Sequence, residues 1–128
     1  MEDVADKLKR LAGRQTMRLT HYGRKSGKPY EVTIWFAVAR DTVYLATANV
    51  NRQWVRNVKK TPRVKLTIGG EMFEGEARFL EGPAERERVT AMMKRKYWLF
   101  LPVFVIGQLL SVAGIMKDKT GAFEVRLA

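Results

Sequence analysis

The chain has 128 residues, 46% of them hydrophobic, and its 24 Lys and Arg against 13 Asp and Glu give a formal charge of +11. That length predicts one domain, residues 1–128, with enough apolar content for a core, and the charge predicts an anionic partner: a phosphate ligand, a nucleic acid or a membrane surface. The absence of cysteine removes disulfides, thiolate nucleophiles and cysteine-ligated metals, and the single histidine, His21, leaves little for a metal site or a His-based triad.

In chain order, Val4, Leu8 and Leu11 fall at helical spacing, with Gly13 as a stop. The charged opening "MEDVADKLKRLAG" is not a secretory leader, which with the missing cysteines predicts a cytoplasmic location. The period then changes to two. Met17, Leu19 and His21 alternate with Arg18 and Thr20, while Val32, Ile34, Phe36 and Val38 share a face, as do Val43 and Leu45. Val64, Leu66 and Ile68 point inward with Lys65 and Thr67 outward. Phe73, Ala77 and Phe79 oppose Glu74, Glu76 and Arg78. These are half-buried antiparallel strands, joined by turns at "GRKSGK", "RD" and "GG".

Residues 49–62 interrupt the meander. Asn51 is placed to cap a helix starting at Arg52, and Pro62 ends it. A second helix follows "EGP", with Pro83 in its first turn and Val89, Met92 and Met93 on its apolar side. The chain closes with Phe123, Val125 and Leu127 alternating with Glu124 and Arg126. About six antiparallel strands and two to four helices predict a mainly β (α+β) fold, a small closed or nearly closed barrel.

Residues 97–116 carry no charge and lie between "KRK" and "KDK". The run is as long as a membrane span, but Pro102, Gly107, Gln108, Ser111 and Gly114 interrupt it. A span would also strip the last strand of its partners. The expectation is a buried or dimer-facing segment, with a peripheral membrane contact as the alternative.

The candidate site begins at "GRKSGK". Its spacing is one residue short of a P-loop, and it runs into Pro29 and a strand instead of a helix. It reads better as a hairpin tip in which Gly23 and Gly27 admit positive φ. Arg24, Lys25 and Lys28 then surround an anion, with the Ser26 hydroxyl as a further donor. The plainer alternative is a solvated turn that keeps an edge soluble.

The helix near Asn51 offers its positive end. Arg52, Arg56 and Lys60 form one stripe, and Trp54 and Asn57 are i, i+3 neighbours on another. An aromatic ring and an amide beside cations suit a planar ring system that bears a phosphate. Against this stands Trp54 as plain core with Asn57 solvated. His21 reads as a packed or exposed strand residue, not a catalyst. The basic runs "KKTPRVK" and "KRK" read as facing solvent or an acidic ligand tail, not nucleic acid.

Together, "LTHYGRKSGKPYEVTIWFAV", "VYLATA", "RQWVRNVKKTPRVKLTIGG" and the terminal "FEVRLA" resemble the deazaflavin-dependent nitroreductase/quinone reductase family. The resemblance implies a split β-barrel of the FMN-binding type and an 8-hydroxy-5-deazaflavin coenzyme (F-420). FMN, used by a related branch with a similar pattern, is the alternative cofactor. It implies hydride transfer to a small electron-poor acceptor, a quinone, enone or nitro compound, and a homodimer formed through the barrel. By the same likeness Arg24, Lys25, Ser26 and Lys28 would grip the coenzyme's phosphate and acidic tail. Thr33 and Trp35 would line the ring. Thr47, Asn49, Arg52 and Gln53 would add contacts at the strand end and helix start, with Trp54 and Asn57 also at the coenzyme. Tyr97 and Trp98 would cover the acceptor pocket, although core or interface is the preferred reading of these two aromatics, and acceptor protonation is open among Tyr97, Tyr22 and water. Tyr30 stands where relatives often have arginine.

Overall fold

Residues 3–98 and 120–127 are described by the computed structural model. Helix α1, Val4–Leu11, is capped by the Asp3 carboxylate, which accepts from the Asp6 N–H at 2.8 Å, and it buries Leu8 and Leu11. The strands follow as β1 (Met17–Tyr22), β2 (Pro29–Ile34), β3 (Phe36–Ala39) and β4 (Thr42–Thr47). After helix α2 (Gln53–Lys60) come β5 (Arg63–Ile68), β6 (Glu71–Phe79), helix α3 (Pro83–Lys96) and β7 (Gly121–Leu127).

One antiparallel sheet has the order β2-β1-β5-β6-β7-β4-β3. Its two outer strands, β2 and β3, are separated in sequence by Trp35 alone. The sheet therefore curls until its edges nearly meet, which is a split barrel. The run from residue 31 to 39, expected as one strand, divides at Trp35 because its first half pairs with β1 and its second with β4. Among the described residues this gives seven strands where six were expected.

Leu19, Leu45, Leu66, Phe123 and Val125 fill the interior with α1 and α2 residues Leu8, Trp54, Val55 and Val58. A smaller cluster lies outside the barrel. There α3 lays Val89, Met93 and Tyr97 against Ala37, Leu80 and Ala122. This explains why Ala37 and Ala122 are buried although the alternation of their strands places them outward.

The start of α2 differs from expectation. Arg52, not Asn51, is the N-cap, and it makes no side-chain cap. Asn49 winds the preceding loop instead: its Oδ1 accepts from the Asn51 N–H at 2.9 Å, and its N–H donates to Thr47 Oγ1 at 3.1 Å. That turn sets Asn51 outside the helix. Residues 99–116 of the apolar run lie outside the described residues. Among the described residues no helix is long and apolar enough to cross a membrane.

Candidate functional site

Residues 23–28 close on themselves. The Gly23 N–H donates to Lys28 O at 2.9 Å, the Gly27 N–H to Gly23 O at 3.0 Å, and the Lys28 N–H to Ser26 Oγ at 3.2 Å. Gly27 has φ +70, as expected. Gly23 does not have positive φ; it is required by close approach. A Cβ there would lie 2.7 Å from Ser26 Oγ and 3.2 Å from the Tyr30 ring. Lys25, Ser26 and Lys28 are exposed, while Arg24 is half-buried.

Arg24 turns back to the protein. Its Nη1 donates to Asn57 Oδ1 at 2.7 Å. Asn57 Nδ2 lies 3.0 Å from His21 Nδ1, and the His21 ring stacks on Tyr30 with centroids 5.8 Å apart. Asn57 is 1% exposed and His21 4%, and burial lowers the His21 pKa below its ordinary value. The turn and α2 thus meet at Asn57, one turn into the helix. The start of α2 lies elsewhere: Trp54, 5% exposed, packs its ring 5.7 Å from Phe123. Arg52 and Gln53 are exposed, and Thr47 accepts and donates within the Asn49 loop.

A second centre sits where β2 passes into β3. Trp35 stacks on Tyr97 with centroids 4.2 Å apart and planes 10° from parallel. The Tyr97 hydroxyl accepts from the Phe36 N–H at 3.2 Å and lies 2.6 Å from Gln15 O and 3.1 Å from Phe36 O. Lys96 Nζ donates to Phe36 O at 2.8 Å and stands 3.6 Å over the Phe36 ring. Burial pushes the Tyr97 hydroxyl up, partly offset by its backbone bond to Phe36. Burial also lowers Lys96 to about 8. Trp98 is 62% exposed, and Thr33 is exposed near the end of β2.

The two centres lie at opposite ends of β2, whose six residues span roughly 20 Å at about 3.3 Å per residue. The structure therefore gathers Arg24, His21, Tyr30 and Asn57 at one end and Trp35, Lys96 and Tyr97 at the other. A cavity of about 430 Å³, lined by Tyr22, Arg63, Lys65, Gly75 and Arg126 among others, has no residue of either centre in its wall. There the Arg63 guanidinium covers the Tyr22 ring at 3.9 Å, and Glu74 and Glu76 oppose the cations. That mixed lining suits an anionic ligand less well than the turn does.

Two features go beyond the expectations from sequence. His21 lies on the inward face of β1, as its alternation with Thr20 predicts, but that alternation gives no sign of its buried amide partner. Asn57 sits between the buried Val55 and Val58, and that placement was the available signal. Lys96, expected in the solvated run "KRK", is half-buried. Val89, Met92, Met93 and Lys96 run i, i+3, i+4, i+7, which puts Lys96 on the buried side of α3.

The chain resembles several solved structures. A putative 5-nitroimidazole antibiotic resistance protein from Bacteroides thetaiotaomicron aligns over 99% of this chain and 81% of its own, at 15% identity and TM-score 0.70. An F420-H2 dependent reductase (FDR-A) aligns over 88% and 95%, at 24% identity and TM-score 0.68. A domain-swapped dimer aligns over 88% and 81%, at 24% identity and TM-score 0.69. At these identities the likeness establishes the fold. No curated protein matches the chain significantly. The family model for F420H(2)-dependent quinone reductase matches residues 1–100. On that match the chain belongs to the F420H(2)-dependent quinone reductase family, and it is an oxidoreductase that uses a deazaflavin coenzyme.

Proposed function

We propose that residues 23–28 and the Asn57 face of α2 hold the anionic end of the deazaflavin, and that Thr33 and Trp35 flank its ring. The observation that carries this reading is the 2.7 Å bond from Arg24 to Asn57, which ties the charged turn to the helix. The residues fit such a group. Arg24, Lys25 and Lys28 supply cations, Ser26 a hydroxyl, and the Trp35–Tyr97 stack a flat apolar wall. When bound, the reduced coenzyme supplies a hydride to an electron-poor acceptor.

The chain's own residues bind and orient. The turn cations neutralise the anionic end, while Thr47 at the end of β4, Asn49 in the loop, and Arg52 and Gln53 at the start of α2 border another part of the ligand. Trp54 serves by seating α2 on Phe123, which fixes Asn57. Trp98 offers its exposed face to a quinone, enone or nitro acceptor beside Tyr97. Neither tyrosine is the proton donor. The Tyr97 proton is committed to backbone carbonyls with its pKa raised, and Tyr22 is covered by Arg63. The reading also takes the protein to be a single cytoplasmic domain that forms homodimers, as a similar fold does in the domain-swapped dimer.

Equilibrium titration with the deazaflavin and with FMN, oxidised and reduced, tests this. The Arg24→Ala/Lys25→Ala double variant should lose roughly 2–4 kcal/mol of deazaflavin binding. Unchanged affinity would remove the turn from the site, and tighter binding of FMN would overturn the cofactor assignment.

A further inference from the structure

We infer that His21 is a positioning residue: its Nδ1 lone pair orients the Asn57 amide, and that amide holds the Arg24 guanidinium in place for the coenzyme's anionic end. The inference rests on the reading of the turn given above. It follows from the inventory of donors and acceptors. A guanidinium can only donate, so the amide atom 2.7 Å from Arg24 must be the Asn57 carbonyl oxygen. The other end of the amide, Nδ2, can also only donate. The ring nitrogen 3.0 Å from it must therefore be an acceptor. His21 is then neutral, with its proton on Nε2.

Protonation of His21 would place a donor against Nδ2. The amide could answer by rotating its oxygen toward His21, but that would turn its NH₂ toward the guanidinium and release Arg24. The network has no slack to absorb the change, since His21 and Asn57 are almost wholly buried. Among the described residues the groups facing His21 are Asn57 from α2 and Tyr30 from β2, with Arg24 beyond Asn57. The neighbouring inward positions of β5, Val64 and Leu66, are apolar and buried. No carboxylate among the described partners stands ready to favour the imidazolium.

This gives a sign that bulk electrostatics cannot imitate. An added positive charge near an anion site should tighten anion binding, whereas loss of Arg24 from its place should weaken it. The experiment compares deazaflavin affinity of the wild type and His21→Gln between about pH 8 and pH 5, spanning the ordinary histidine pKa of 6.5. Glutamine can accept from Asn57 but does not titrate, and any titration of the coenzyme is common to both proteins. The wild type should lose about tenfold in affinity relative to His21→Gln as the pH falls. A constant or rising ratio overturns the inference.

A second measurement needs no coenzyme. His21 is the only histidine in the sequence, so its ring nitrogens give unambiguous NMR signals. The Nε2–H tautomer should dominate at neutral pH, and Arg24→Ala should allow the Nδ1–H tautomer to appear because Asn57 can then rotate. A dominant Nδ1–H form in the wild type overturns the inference. If Arg24→Ala binds the coenzyme normally, the anion site is misplaced. If Arg24→Ala binds weakly while the affinity ratio stays flat, His21 alone is misassigned.

Discussion

Tyr97→Phe isolates a single oxygen at the seam of the barrel. In the native chain that oxygen accepts from the Phe36 N–H and meets the Gln15 and Phe36 carbonyls at 2.6 and 3.1 Å; the Phe36 groups are buried, while Gln15 is an exposed residue. The ring itself stays, and with it the Trp35 stack and the apolar contacts to Val89 and Met93. What is lost is satisfaction of two backbone groups, since Lys96 still serves Phe36 O. A buried group left without a partner costs about 1–3 kcal/mol, and that applies to the Phe36 N–H alone, because the carbonyl of the exposed Gln15 can turn to water; roughly 1–3 kcal/mol is expected. At about 2 cal/mol/K of unfolding entropy per residue, a chain of this length loses about 4 °C for each kcal/mol. Thermal unfolding followed by circular dichroism should therefore show a Tm lower by about 4–12 °C. Deazaflavin affinity, measured well below that Tm, should change little. A Tm within about 2 °C of wild type would mean that the hydroxyl does not fasten the seam.

Lys96→Met should remove a pH dependence. The folded-state pKa of Lys96, about 8, lies below its unfolded value of 10.5, so between those values the unfolded chain binds the extra proton and wild-type stability rises with pH. Urea unfolding of the variant should lack that rise, and an unchanged slope would place Lys96 in solvent. Gly75→Ala should destabilise by about 1–3 kcal/mol, because the new Cβ would meet the Arg126 carbonyl oxygen at 2.7 Å, a backbone atom that can move only by displacing β7 from β6. Native-like urea unfolding of that variant would contradict the packing described for this pair.

The strands were legible because most inward positions obey a period of two and one face is buried. Leu19, Leu45, Leu66 and Val125 all emerge at or near zero exposure. Legibility failed where a second layer covers the other face. Ala37 and Ala122 carry no hydrophobic signal strong enough to announce that α3 lies on them. It failed again at Trp35, since the sequence does not say that one apolar run must serve two ladders. The charged turn was visible, but its connection to α2 was expected at the helix start. Neither propensity nor spacing shows that Trp54 faces Phe123 and thereby leaves the Asn57 end of the helix toward β1.

The turn admits two readings, an edge guard and the proposed anion site, and Arg24 favours the second. β2 is an edge strand, and edge strands are commonly guarded by Lys and Pro. Lys25, Lys28 and Pro29 are exposed and would satisfy that need alone. A guard residue gains nothing by leaving water, since its use lies in staying hydrated. Arg24 instead gives part of its hydration to an amide that is itself 1% exposed, and that amide is oriented by a buried neutral histidine. Keeping an edge soluble needs no such chain of three side chains. Holding one guanidinium at a fixed place and angle does need it, because a planar donor set binds an anion well only when it is aimed beforehand.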